Sequence, residues 1–489
     1  MDLTAIVGRM NDIIWSNALV YTCLGVGIYF SILLKFPQIR LVKDMVHNML
    51  HGEESDSGVS SFQGFAMALG GRVGTGNIAG VATAIAMGGP GAVFWMWAIA
   101  FLGAGSAYIE AALAQVYKDE VEGEFRGGPA YFIERGLGIK WYGVLFAVAA
   151  ILGVGVFLPG VQSNSITAAF ENAFRISPVI TGGAVTLLLA FVIFGGTKRI
   201  SRTAEMVVPF MAIAYIIVAL IVIIMNIGSL PGIIKMIFAG AFKMDAAFAG
   251  IFGSTIAWGV KRGIYSNEAG QGTGPMAAAA AEVSHPAKQG LVQAFSVYVD
   301  TLFVCSATAF MILITKQYNV HGPTEGSFIV EYLPGVEKGP AFTQNAINTL
   351  FSGIGPAFVA IALFFFAFTT LLAYYFYAES CVAYLFRKGG NYKLYFTITR
   401  VLMLVMTFYG AIRTADLAWA LGDVGVGLMA WLNLIAIVLL TKVGVQTLTD
   451  YEAQKKQGLD PIYDPDALGV RNADLWKKIA AKYKAKRKA

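Results

Sequence analysis

Long apolar stretches alternate with short polar ones along almost the whole chain. Eleven of them have the length of a bilayer-crossing helix, near 16–34, 64–87, 91–117, 141–170, 178–196, 205–227, 246–280, 289–315, 352–385, 394–411 and 418–441. A helix needs about 20 apolar residues to cross the hydrocarbon core, so the pattern predicts an all-α polytopic membrane protein. Two stretches are not uniformly apolar. Gly74-Thr75-Gly76-Asn77 interrupts the second; the seventh carries Gly253-Ser254-Thr255 and turns polar and glycine-rich in its second half. Glycine is a poor helix former and invites unwinding. In lipid, unwound backbone is tolerated only where it is buried in protein or lines a cavity. The N–H and C=O groups freed at 74–77 are therefore expected to bind something polar inside the membrane.

The two interruptions suggest a repeat. With the first stretch set aside ten remain, and an interrupted one opens each set of five. Five is odd, so the halves would have opposite topology, a 5+5 inverted repeat. Paired interrupted segments at corresponding positions point to the binding site of a secondary transporter. The expected organisation is an extra N-terminal transmembrane helix over 1–35, a cytoplasmic loop over 36–63, a first five-helix repeat over 64–228, a second over 229–441 and a basic tail over 442–489. The competing reading is that the glycines only let helices pack closely.

Charge sets the orientation. With the N-terminus outside, 27 of the 36 lysines and arginines fall in gaps facing the cytoplasm or in the tail, and 7 fall in outward gaps. The positive-inside bias then puts the N-terminus outside and the C-terminus inside. The net charge of +6 is explained by topology and calls for no nucleic-acid partner. With 57% hydrophobic and 13% charged residues and a mean hydropathy of +0.64, the chain is far from the roughly 25% charged content of soluble domains. A multi-pass location in the plasma membrane, the inner membrane in a bacterium, follows, with lipids as neighbours. The first stretch lacks a basic leader and a small-residue cleavage site, so it reads as a retained helix rather than a signal peptide. Cys23, Cys305 and Cys381 lie in apolar stretches, which excludes a disulfide framework and a CxxC metal site. The four histidines fall in predicted loops, leaving no histidine metal site or intramembrane relay. The tail end, Trp476 to Lys488, reads either as an amphipathic helix on anionic lipid or as a frayed solvated tail.

Few residues offer chemistry inside the stretches. The amides of Thr75 and Gly76 would open a half-helix whose positive end favours a carboxylate, while the matching carbonyls favour a cation. Gln162 and Asn164 lie mid-stretch beside Pro159-Gly160 and either face the same cavity or bond between helices. Thr369 and Thr370 offer adjacent hydroxyls to a hard cation, or bond back to their own helix. Charges within stretches are expensive and presumptively functional. Arg72 precedes the interruption and needs a partner, for which Asp300 and Glu110 are the available carboxylates. Either Arg72 is a fixed cation in the space of a second sodium, or it forms a structural buried pair. Two glycine-rich runs, 127–129 and 267–275, lie in expected cytoplasmic loops. No GK[ST] follows either, so an ATP site is not indicated, and they read as a gate or hinge.

Several runs together resemble the alanine/glycine:cation symporter family, the sodium:alanine symporters. The most specific is Gly88-Gly89-Pro90-Gly91-Ala92-Val93-Phe94-Trp95-Met96-Trp97. Gly74-Thr75-Gly76-Asn77-Ile78-Ala79-Gly80-Val81-Ala82 and Ser266-Asn267-Glu268-Ala269-Gly270 are further family-like runs, and the likeness extends to about Val445. The resemblance implies a leucine-transporter-like fold with one extra N-terminal helix. It implies cotransport of a small amino acid (L-alanine, glycine or D-alanine) with sodium, or with protons in some members. Carried over, Thr75, Gly76, Asn77 and Gln162 would hold the substrate, its carboxylate at the first two and Gln162. Gly253, Ser254 and Thr255 would receive its amino group and side chain. Thr369 and Thr370, with the carbonyls of Gly70 and Val73, would hold sodium. An arginine at position 72 puts a second sodium in doubt.

The expected activity is translocation rather than bond chemistry, with sodium as coupling ion and no cofactor. A membrane enzyme would need a nucleophile–base pair or a metal cluster, and none is evident. A channel would show rings from oligomer symmetry rather than two interruptions in one chain. A proton-coupled amino-acid carrier of the same fold is the alternative. The paired threonine hydroxyls and the lack of a mid-membrane histidine favour sodium.

Overall fold

A computed structural model describes residues 3–51, 58–243, 248–324, 326–387 and 391–488; Lys388, counted among the inward charges, lies outside them. The described chain is a helical bundle with two short antiparallel hairpins, Asp119–Val121 with Glu124–Arg126 and Asn319–His321 with Phe328–Glu331. Seven helices are long and apolar enough to cross a membrane: Gly91–Val116, Lys140–Phe174, Gly196–Met225, Pro286–Ile314, Gly355–Phe386, Tyr392–Ala411 and Ala415–Leu439. An eighth crossing arises if Thr4–Ile14 and Asn17–Leu33, bent by 42°, count as one span. Gly76–Gly88, Pro178–Ile193 and Ile227–Ala241 are shorter apolar helices.

Gly91–Val116 runs through the middle of the bundle, packed against Pro286–Val297, Phe252–Asn267 and Asn17–Leu33. Its second half is glycine- and alanine-rich and wholly buried, as close helix approach in a membrane requires. The outer helices differ. Leu187, Phe191, Met206 and Phe210 are each about 70% exposed, from 69% to 74%. Such an apolar belt has no partner in the chain and suits lipid tails.

The elements depart from the expected pattern in five places. The helix Leu3–Ile14 precedes the first stretch, and Leu230–Ala241 is helical where a connection was expected. Gly196–Met225 begins nine residues before the expected 205, so Lys198, Arg199 and Arg202 lie on helix rather than in a loop. Lys261 and Arg262, counted among the inward charges, lie inside the helix Phe252–Asn267 and bind Asp423. The tail is neither frayed nor spread on lipid. Trp476 is fully buried, and Ile479, Ala480 and Tyr483 are buried with it. The tail folds back on one end of the bundle: Trp476 Nε1 donates to the Gln115 carbonyl at 2.7 Å, and Lys482 pairs with Glu282 at 2.6 Å. Periodicity alone could not say what the apolar face of this short helix would cover.

Candidate functional site

The first interruption is real. Helix Ser61–Arg72 opens with a reciprocal cap between Ser60 and Gln63 and closes at Val73, whose ψ of 87° leaves the helical range. A π-helical turn, Gly76–Gly80, restarts the chain and leads into Val81–Gly88. The reason lies in where two amides go. Gly74 N–H donates to Asn77 Oδ1 at 2.8 Å, and Thr75 N–H to Gln162 Oε1 at 3.1 Å. In a continuous helix these amides would bond the carbonyls of Gly70 and Gly71. The Gly70 carbonyl instead accepts from Thr370 Oγ1 at 2.9 Å, with the Val73 carbonyl 3.5 Å from the same hydroxyl. Position 74 admits only glycine, because a Cβ there would collide with Thr370 Oγ1 and lie 3.1 Å from Gln162 Oε1.

Two clusters of the expected residues therefore meet at the break. Thr75 and Gln162 join through the Thr75 amide and hydroxyl, the latter at 2.8 Å. Gly70, Val73 and Thr370 bring three oxygens together, with Thr369 alongside. The Thr369 hydroxyl donates to its own helix at Phe365 and Phe366. Carbonyl and hydroxyl oxygens at a helix C-terminus are the donor set of a hard monovalent cation. Among the described residues no group of three or more His, Cys, Asp or Glu could hold a metal.

Gly253, Ser254 and Thr255 do not interrupt a helix. They form the first turn of Phe252–Asn267. Ser254 Oγ donates to the Met87 carbonyl at 2.8 Å and Thr255 Oγ1 to the Gly88 carbonyl at 2.7 Å, capping the far end of Val81–Gly88. Twelve helical residues separate Gly76 from Gly88, about 18 Å, too far for one small amino acid to touch both. The second interruption is instead 268–273, between Phe252–Asn267 and Gly274–Ala280. Positive φ recurs there at Glu268 (57°), Gly270 (81°) and Gly272 (88°), which explains the glycine spacing. The run was expected in a cytoplasmic loop, but every residue of it is buried. Glu110 accepts from Gly270 N–H at 3.2 Å and from Asn433, which also donates to the Gly270 carbonyl.

The two broken helices touch. A Cβ on Gly76 would lie 3.0 Å from Ser266 Cα and 3.2 Å from Tyr265 Cδ1. Asp300 sits on a second π-helical turn, Tyr298–Cys305, and makes no ion pair with Arg72. Its carboxylate accepts from Asn77 at 2.6 Å, from Ser266 at 2.9 Å and from Thr301 at 2.6 Å. Arg72 bonds Gln293 instead, through its carbonyl and Oε1. Asn77 thus ties the break to Asp300, and Asn164 lies elsewhere, donating to the carbonyls of Gly410 and Arg413. Above the break, Arg262 binds both oxygens of Asp423 at 2.8 and 2.6 Å and stacks on Trp258, Tyr265 and Trp419. The sequence signal for this pair is faint, since the two residues lie 161 positions apart in separate stretches.

Two broken helices meeting at a buried polar patch, inside a bundle with an apolar belt, define a membrane transporter. In fold the chain is similar to the crystal structure of MhsT in complex with L-phenylalanine, with a TM-score of 0.52 and 15% identity over 79% of this chain and 88% of that one. The sequence goes further. The chain belongs to the sodium:alanine symporter family, whose model matches residues 1–465. It is 51% identical to the sodium/proton-dependent alanine carrier protein of Bacillus sp. strain PS3, over 88% of this chain and 97% of that one. It is 37% identical to the sodium/alanine symporter AgcS of Methanococcus maripaludis, over 93% and 99% of the two chains. The family is one of carriers, not of enzymes.

Proposed function

We propose that the chain imports small neutral amino acids, alanine and glycine, by sodium-coupled symport with alternating access. The observation that carries the reading is the pair of clusters at 70–76. The carbonyls of Gly70 and Val73 converge on Thr370, the Gly74 amide that would have satisfied Gly70 turns to Asn77, and the Thr75 amide turns to Gln162. A zwitterion and a cation need those two donor sets side by side. In this reading the substrate carboxylate takes over the Thr75 hydroxyl and the amides of Thr75 and Gly76, with Gln162 and Asn77 lining the site. Sodium, as co-substrate, is held by the carbonyls of Gly70 and Val73 with Thr370, and Thr369 packs against it. Ser266 and Tyr265, rather than Gly253, Ser254 and Thr255, supply the second helix's wall.

The proposed topology is eleven spans, an extra N-terminal helix followed by a 5+5 inverted repeat, with the N-terminus outside and the tail inside. It is supported by contacts that gather basic residues at one end. Arg40, Lys118, Arg135 and Lys288 all bond the tail or its immediate neighbours. Removing Lys261 and Arg262 from the inward set leaves that bias intact. At the opposite end, Arg262 and Asp423 close over Tyr265 and Trp419 as an outer lid. The test is radiolabelled alanine uptake into proteoliposomes with and without an inward sodium gradient. Uptake driven by sodium is expected. Uptake indifferent to sodium but driven by a pH gradient favours the proton-coupled alternative, and no uptake of any small amino acid overturns the reading.

A further inference from the structure

The second interruption holds a set of polar atoms that the site above does not use. Both carboxylate oxygens of Glu268 are buried without a hydrogen-bond partner. So are both side-chain atoms of Gln271, the Thr273 hydroxyl, the Tyr377 hydroxyl, and Nε and one terminal nitrogen of Arg72. Glu268, Gln271, Thr273 and Arg72 are each at most 2% exposed. The Arg72 guanidinium packs on Gly274, one residue past the unwound segment, with its central carbon 3.4 Å from where a Cβ there would stand. It makes no ion pair within 4 Å with any described carboxylate. The charged groups facing Glu268 are Arg72, Asp300 and Glu110, with the hydroxyls of Thr273, Tyr265, Tyr374 and Tyr377 around it. The Thr273 hydroxyl is close but outside hydrogen-bond geometry.

A buried carboxylate with neither a counter-ion nor a hydrogen bond costs several kcal/mol. Glu110 and Asp300 avoid that cost, since each accepts at least two hydrogen bonds from neutral donors. Glu268 has none, although a guanidinium with two free donors stands near it.

We propose that Glu268 is a second monovalent-cation site, taking a proton or a sodium ion, with Arg72 as the tethered cation that replaces it. In one half of the cycle Glu268 is neutralised by the external cation, assisted by the oxygens of Gln271 and Thr273. In the other, the cation leaves and the free edge of Arg72 pairs with the carboxylate. Each turnover then carries one positive charge besides the sodium at Thr370. This rests on the symport reading above.

The experiment is alanine uptake by the full-length carrier in proteoliposomes, wild type against Glu268→Gln, in two arms. One arm holds the sodium gradient fixed and varies the pH gradient; the other varies sodium at fixed pH. With a proton as the second cation, an inward acid gradient stimulates uptake by wild type, and E268Q loses that stimulation. With sodium as the second cation, the Hill coefficient for sodium falls from near 2 towards about 1 in E268Q. If E268Q responds like wild type in both arms, the proposal is overturned. Should E268Q not reach the membrane, wild type decides. Purified wild-type carrier in weakly buffered detergent then either exchanges a proton with solvent on adding alanine and sodium or shows sodium cooperativity, and the absence of both overturns the proposal. Absence of alanine uptake by wild type would instead strike the symport reading.

Discussion

Gln162 and Thr370 divide the labour at the break, and their roles are separable. Replacing Gln162 by Ala removes from the proposed carboxylate pocket a side-chain amide that can donate to the substrate. Loss of a buried hydrogen bond of about 1–3 kcal/mol corresponds to a rise of roughly 5- to 150-fold in the KM for alanine, with a smaller effect on half-saturation by sodium. Thr370→Val keeps the shape and removes the hydroxyl that joins the Gly70 and Val73 carbonyls. It should raise the sodium half-saturation concentration by about tenfold or more, read from uptake against sodium concentration. Equal shifts in both variables for both variants would contradict two clusters. These residues were legible in the sequence because a Gly-Thr-Gly-Asn run inside an apolar stretch has few explanations. The partnership of Asn77 with Asp300 was not legible. Arg72 was the obvious partner by charge, but two π-helical turns and the end of Phe252–Asn267 bring Asn77, Thr301 and Ser266 to that carboxylate first.

At the scale of elements, the first broken helix was read correctly and the second was misplaced by about 15 residues. The misreading has a physical source. Gly253-Ser254-Thr255 carries the composition of a break, but at a helix start small hydroxyl residues also cap a neighbouring helix end, as they do for Met87 and Gly88. The true break needs φ above zero at three alternate positions, and the spacing Glu268, Gly270, Gly272 was its sequence mark. Phe252–Asn267 is pinned to Ala415–Leu439 by Asp423, which holds Arg262 at 2.6 Å and Lys261 at 2.7 Å. Asp423→Ala strands two cations and should destabilise the fold by about 3–5 kcal/mol, seen as a lower unfolding midpoint in detergent. A midpoint unchanged from wild type would remove the ion pairs from the account of what holds these two helices together.

Across the whole molecule, the tail docks beside the second interruption. Lys118 donates to the Ala281 carbonyl at 2.9 Å, just past Gly274–Ala280, and faces the Trp476 ring at 5.3 Å. Burial pushes its ammonium down to about 7, opposed by the charge of Glu282. The undocked state therefore holds more protons between about pH 7 and the ordinary lysine range, and docking strengthens as pH rises through that window. Trypsin should release the tail more slowly at about pH 8.5 than at about pH 6.5, after correction for the protease's own profile. Lys118→Met should abolish the difference. Trp476→Ala, which empties a fully buried site, should cost about 3–5 kcal/mol and free the tail at both pH values. The count and order of apolar stretches made the bundle readable, whereas the tail's destination depends on a surface that no local pattern encodes.

The central claim is that alanine and sodium cross together through one break. Its most direct test uses radiolabelled sodium and proteoliposomes holding no sodium gradient at the start. An outward alanine gradient should drive sodium out with it, and Thr370→Val should uncouple or slow that flux in proportion to its loss of sodium affinity. Alanine leaving the vesicles while sodium stays would contradict the account.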